Sequence, residues 1–189
     1  LEKLSPEGAL VLLKVRSGEE LMRKWRTTGY YEIWRHPQLQ SVTGMVQQQG
    51  GALVEGQLAA FGLTGKELAD LFRKQFGFVL SSPPAGGAPG MESLILIEAG
   101  QGGAAFLGKI GEQMKAMSQG ADPFVEHAGV KVLQMPNPAF PIGAAAVQDF
   151  LIVASPLTAA TSAIDRVKAP PARTLADGKE FALIGAKLG

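Results

Sequence analysis

The sequence predicts an α+β domain: a largely antiparallel sheet with helices on one face and a helix-rich insertion in the N-terminal half. Three observations carry that prediction. Short apolar runs of six to eight residues, bounded by Gly, Pro or Ser, recur along the chain as strands. Stripes at helical spacing separate several of them. Two runs near the C-terminus are joined by only Gln148-Asp149, which is hairpin spacing.

Taken in order, residues 9–16 (ALVLLKVR) read as a mostly buried strand between Gly8 and Ser17-Gly18. Helical spacing begins at Gly18, with Leu21, Met22 and Trp25 on one face, and Gly29 suits a helix stop. Tyr30 to Arg35 make a further short helix that ends at His36-Pro37, because proline disfavours helix in the residue before it. Pro37 opens a helix toward Gln49, with Val42, Met45 and Val46 inward. Gly50-Gly51 is expected to break it before another helix at residues 53–61. Thr64-Gly-Lys-Glu67 has capping-box spacing at the head of a helix carrying Leu68, Leu71 and Phe72.

Residues 76–82 (FGFVLSS) form the next strand, and SPPAGGAPG, 82–90, reads as an exposed connector. The second half reads β-α-β-β-β-α. A strand at 92–99 precedes a helix at 103–119 whose stripe is Phe106, Leu107, Ile110 and Met114. Strands at 130–135, 139–147 and 150–155 precede a helix at 156–167, with Ser155 as its N-cap and Pro156 at the first position. Residues 136–138 make a turn, and 169–172 a linker. Asp177 to Glu180 resemble a second capping box, heading a last helix through Phe181 and Ile184. The organisation is one composite domain in three parts: 1–82, a connector at 83–91, and 92–189.

Composition narrows the function. The chain has 189 residues, 46% hydrophobic, enough to bury a core. With 19% charged residues and a formal net charge of +1 it lacks the basic excess of a polyanion binder, so nucleic acid is not an expected partner. No cysteine is present, which excludes disulfides, thiolate metal sites and a cysteine nucleophile. The apolar runs are far shorter than a bilayer span. The chain opens at Leu1 without a signal-like apolar stretch. We therefore expect a processed or excised chain, whose membrane contact, if it has one, is made by segments outside it.

Three constellations could carry chemistry. KWRTTGYYEIWRHP, residues 24–37, holds both tryptophans and both tyrosines among basic residues. Trp25, Tyr30, Tyr31, Trp34 and Arg35 are the candidate interaction surface, since stacking aromatics beside cations serve nucleic-acid binders and interfacial membrane helices. Against that, Glu19, Glu20 and Glu32 dilute the charge, and Trp25 is in phase with Leu21 and Met22. The spacing therefore predicts a packed helical corner with solvated arginines.

The second is LILIEAGQGGAAFLGKIG, residues 94–111, with Gly100, Gly102 and Ala105 spaced as G-x-G-x-x-A between strand and helix. Such a turn can offer backbone amides to a pyrophosphate, which makes a nucleotide or dinucleotide site the alternative reading. The following strand does not end in a ribose-binding carboxylate, and hairpins follow where parallel βαβ units are needed. A plain strand-to-helix turn is the expectation, with no cofactor. The third is the pair His36 and His127, neither of which has a ligand partner at i+2, i+3 or i+4; no metal site is expected. No Ser lies in a G-x-S-x-G setting and no carboxylate pair invites acid–base work, so no catalytic residue is assigned.

Several stretches resemble an uncharacterised bacterial family of exported or surface-anchored proteins, a domain of unknown function. They are Ser5-Pro-Glu-Gly-Ala-Leu-Val-Leu-Leu, the Gly29 to Gln40 element, Gly62 to Leu68, the strand-to-helix stretch from Gln148 to Ile164, and Leu175 to Phe181. The resemblance spans nearly the whole chain, and all its motifs are structural. It implies an extracytoplasmic location in the periplasm or at the cell surface, and it carries no catalytic residue and no ligand. It also implies a chain that continues beyond Gly189. With no catalytic signature in the residues, a non-enzymatic binding or assembly domain with a protein or envelope partner is the expectation.

Overall fold

The computed structural model describes residues 1, 4–6, 9–82, 91–135 and 141–171, without the side chains of 42 and 46–48. The connector at 83–90, the turn at 136–138, the inward placement of Val42 and Val46, and the last helix through Phe181 and Ile184 lie outside what is described. The chain folds as α+β around one seven-stranded antiparallel sheet. Its strands are β1 (Ala9–Val15), β2 (Phe76–Ser81), β3 (Glu92–Glu98), β4 (Phe124–His127), β5 (Val130–Met135), β6 (Ile142–Val147) and β7 (Phe150–Ser155). The helices are α1 (Gly18–Trp25), α2 (Gly29–Trp34), α3 (Gln40–Ala60), α4 (Gly65–Leu71), α5 (Gln101–Met117) and α6 (Leu157–Lys168).

The sheet order is β1-β2-β3-β7-β6-β5-β4. β3 pairs with β2 on one side, Val79 opposite Leu94, and with β7 on the other, Leu96 opposite Ile152. Helix α5 carries the chain from β3 to the far edge at β4, and the meander β4–β7 returns to the middle. Strands from both halves of the chain therefore share one ladder.

Side-chain alternation along the central strands makes two cores. Leu94, Leu96, Val132, Ala145, Ile152 and Ala154 point to one face, where Ala160, Ala163 and Ile164 of α6 cover them. Ile97, Leu133, Ala144 and Leu151 point to the other, under Leu107 of α5 and Leu71 of α4. The expected cover of helices on one face is thus corrected to cover on both. The sequence of β3 and β7, apolar at consecutive positions, is the pattern of strands buried on two sides.

Other local expectations are also revised. β1 is an edge strand, with Leu10, Val11 and Leu13 exposed, rather than a mostly buried one. α3 runs unbroken through Gly50 and Gly51 for 21 residues, because glycine weakens a helix without terminating it unless the backbone leaves helical φ. Pro37 opens a short 3-10 turn, residues Pro37–Leu39, ahead of α3. β4 was not legible: Phe-Val-Glu-His is short, half polar and paired only with β5. The cap residue of α6 is Pro156, with no side-chain cap bond from Ser155. The capping box at α4 forms as expected, Glu67 N–H donating to Thr64 Oγ1 at 3.2 Å and Thr64 N–H donating to Glu67 Oε2 at 2.9 Å.

Candidate functional site

Helices α1, α2 and α3 leave the sheet as an arm rooted at α1. Ser17 caps α1, its Oγ accepting from Glu20 N–H at 3.1 Å. The amides of Gly18 and Glu19 donate to the carbonyls of Lys74 and Arg73 at 3.1 and 3.2 Å, tying the helix start to the segment entering β2. Past Gly18 no residue of α1 or α2 is buried. Thr28 caps α2, so Gly29 begins that helix.

The predicted packing of Trp25 is therefore corrected. The stripe Leu21, Met22 and Trp25 exists, but among the described residues it enters neither core of the sheet, and Trp25 is 40% exposed. Tyr30 is 73% exposed, Ile33 59% and Trp34 38%, while Tyr31 is half-buried. The structure brings three of the five predicted residues, Trp25, Tyr31 and Arg35, into contact, and leaves Tyr30 and Trp34 exposed on α2. Trp25 meets Tyr31 edge-on, ring centroids 6.4 Å apart and planes at 71°. The Arg35 guanidinium carbon lies 5.7 Å from the Tyr31 centroid, within cation–π range.

Between Leu21 and His36 this corner carries Arg23, Lys24, Arg26 and Arg35 against the single carboxylate of Glu32. Glu20 offsets part of that charge: it pairs with Lys24 at 3.0 Å and Arg23 at 3.8 Å. The hydrogen bond from Lys24 holds its carboxyl below the ordinary value. Arg26 and Arg35 form no ion pair among the described residues. The arrangement is an exposed aromatic patch rimmed by cations. Leu21 and Met22 of α1 and Ile33 of α2 are further exposed apolar residues beside the five predicted ones; the signal for the first two is their helical phase with Trp25, and for Ile33 its spacing of three from Tyr30.

The glycine turn is built differently from a phosphate cradle. Gly100 turns the chain at φ +54°, and the amides of Ala99 and Gly100 both donate to Asp149 O at 2.9 Å, locking the turn to the β6–β7 hairpin. The amides of Gly102 and Gly103, which would face an anion, donate to Ala99 O and Gly100 O at 3.2 and 3.3 Å. The small hollow beside Gly102 and Ala105 is lined by Glu67, Asp70 and Lys109. Lys109 pairs there with Glu67 across α4 and α5. That contact, with the Thr64 bonds, lowers the Glu67 carboxyl to about 2. Two carboxylates beside the helix start oppose a bound phosphate. Sequence reasoning missed this pair because α4 and α5 meet only in the tertiary structure.

His36 caps the 3-10 turn, its Nδ1 accepting from Gln38 N–H at 3.3 Å. His127 Nε2 lies 2.9 Å from Asp165 Oδ1, joining the β4–β5 hairpin to α6. No group of metal-ligating side chains occurs among the described residues. No described helix is long and apolar enough to cross a membrane. Comparison of the chain with protein-family models, with curated proteins and with solved structures yields no match in any of the three.

Proposed function

We propose that this chain is a non-enzymatic binding or assembly domain that works outside the cytoplasm and docks a protein or envelope partner on its aromatic–basic corner. One observation supports the reading above the rest: Trp25, Tyr30, Ile33 and Trp34 are all exposed on two consecutive short helices that Trp25 and Tyr31 join. Large aromatic side chains and arginine are the residue types that dominate binding energy at protein interfaces, and monomers rarely leave such groups clustered in water without use. The ordered contact of Trp25, Tyr31 and Arg35 means little side-chain entropy is lost when a partner covers them. The resemblance to exported bacterial proteins supports the location.

Photo-crosslinking in the native cell tests this. A benzophenone side chain replaces Tyr30 or Ile33 in turn, with exposed Glu112 of α5 as the control site. We expect a discrete crosslinked product from positions 30 and 33, recovered with the envelope or surface fraction, and none from 112. Products identical at all three positions, or none at 30 and 33, would overturn the docking role. Recovery in the cytoplasmic fraction would overturn the location.

A further inference from the structure

We infer that the cleft at the C-terminal end of α5 is a binding site for a single small, uncharged, apolar molecule. The cleft has a volume of about 720 Å³, and its walls include Met114 and Met117 of α5, Pro123, Met135 at the end of β5, Ile142 of β6 and Leu157 of α6. That size falls within the range of small-molecule sites, ~300–1,000 Å³. It lies far along α5 from the glycine turn and on a different part of the molecule from the aromatic corner.

The chemistry of the walls selects the ligand. Three of the six methionines in the chain converge here. Unbranched thioether side chains adapt their shape to an apolar guest and offer polarisable contacts to it. Ser118, Asp122 and the Gln134 backbone amide are engaged within the protein. Ser118 Oγ is within bonding distance of Lys115 O and Ala121 O, at 3.2 and 3.0 Å. Asp122 Oδ1 accepts from Phe124 N–H at 3.0 Å, and Gln134 N–H donates to Pro123 O at 2.9 Å.

The charge that remains works against an anion. Asp122 is an exposed carboxylate on the rim, and the last turn of α5 presents the negative end of the helix dipole, offset in part by Lys115, which does not line the cleft. A fatty-acid carboxylate would meet both, whereas a long-chain alcohol or a neutral aromatic would not. The side-chain amide of Gln134 is an uncharged polar group the walls can offer such a ligand.

Methyl-¹³C methionine NMR on the full chain tests the site, with N-phenyl-1-naphthylamine and dodecan-1-ol as probes. Met114, Met117 and Met135 should shift together and saturate at one equivalent, while Met22, Met45 and Met91 stay in place. Resonances 114, 117 and 135 that do not move, or Met22 and Met45 moving in step with them, would overturn the proposal in favour of adsorption on exposed apolar surface. Met117 is 62% exposed, so Met117→Lys should keep the wild-type melting curve. It should also weaken both probes by about three-fold or more, because a lysine stem whose ammonium stays in water replaces an adaptable thioether contact at the mouth of the cleft. Met117→Lys that folds and binds like the parent would count against the site. Dodecanoate should bind about ten-fold or more weaker than dodecan-1-ol; equal binding would overturn the uncharged class. Trp34→Ala, a change on the arm, should leave probe affinity unchanged, and a parallel loss there would place binding elsewhere.

Discussion

Phe124 of β4 lays its ring over Gly111 of α5, in the space that a side chain at position 111 would occupy. Gly111 is buried on the same face of α5 as Leu107 and Gly103, so this glycine sets how closely the helix approaches the sheet edge. The contact also anchors β4: its one phenylalanine is covered by the helix that leads into it.

Gly111→Ala should therefore lower stability by ~1–3 kcal/mol, the usual cost of overpacking, measured by urea denaturation. Gly102→Ala should be near neutral, since its nearest neighbour is Leu71 Cδ2 at 4.0 Å. A neutral Gly111→Ala would show that the ring moves away freely.

Trp25 and Trp34 should both be quenched readily by iodide. Replacing either by alanine should cost less than ~1 kcal/mol, against ~3–5 kcal/mol for a tryptophan in a core. One shielded tryptophan, or a core-sized loss on Trp25→Ala, would mean that the arm folds back on an apolar surface.

Glu67 gives an acid-range signature. Its carboxyl is lowered from 4.5 to about 2 by Lys109 and Thr64. A group whose folded value is depressed contributes stability that is present above its unfolded value and lost as pH falls through the folded one. Stability of the parent should thus fall between pH 4.5 and about 2 in part through this residue. Glu67→Gln should show a shallower decline over the same interval in urea midpoints taken at each pH. Parallel curves would mean that the contact with Lys109 does not persist in solution.

Gly50 and Gly51 sit inside α3, and among the described residues nothing beyond their chain neighbours and the helix's own backbone lies within 4 Å of where a methyl group would project; neither has positive φ. Alanine at either position should firm the helix by up to ~1 kcal/mol. The readout is slower amide hydrogen exchange across α3, by about five-fold for each ~1 kcal/mol. Faster exchange would mean that the glycines serve a bend the helix needs.

The order of strands and helices was largely determined by the sequence itself. Strand runs such as Val130–Met135 and Phe150–Ser155 are bounded by turn residues, and the hairpin between β6 and β7 needs only Gln148-Asp149. The α4 capping box is equally local, since all its atoms lie within four residues. What the sequence did not determine is which apolar stripe finds a partner. Leu21, Met22 and Trp25 of α1 follow the same helical spacing as Leu107, Ile110 and Met114 of α5. Only the second set lies on the sheet, among Leu133, Ala144 and Leu151, because α5 must cross from β3 to β4 over that face. Burial is fixed by what stands opposite a residue, not by the residue. The same reason hid the Glu67–Lys109 contact and the methionine cleft, whose parts lie far apart along the chain and meet only when the sheet closes its order.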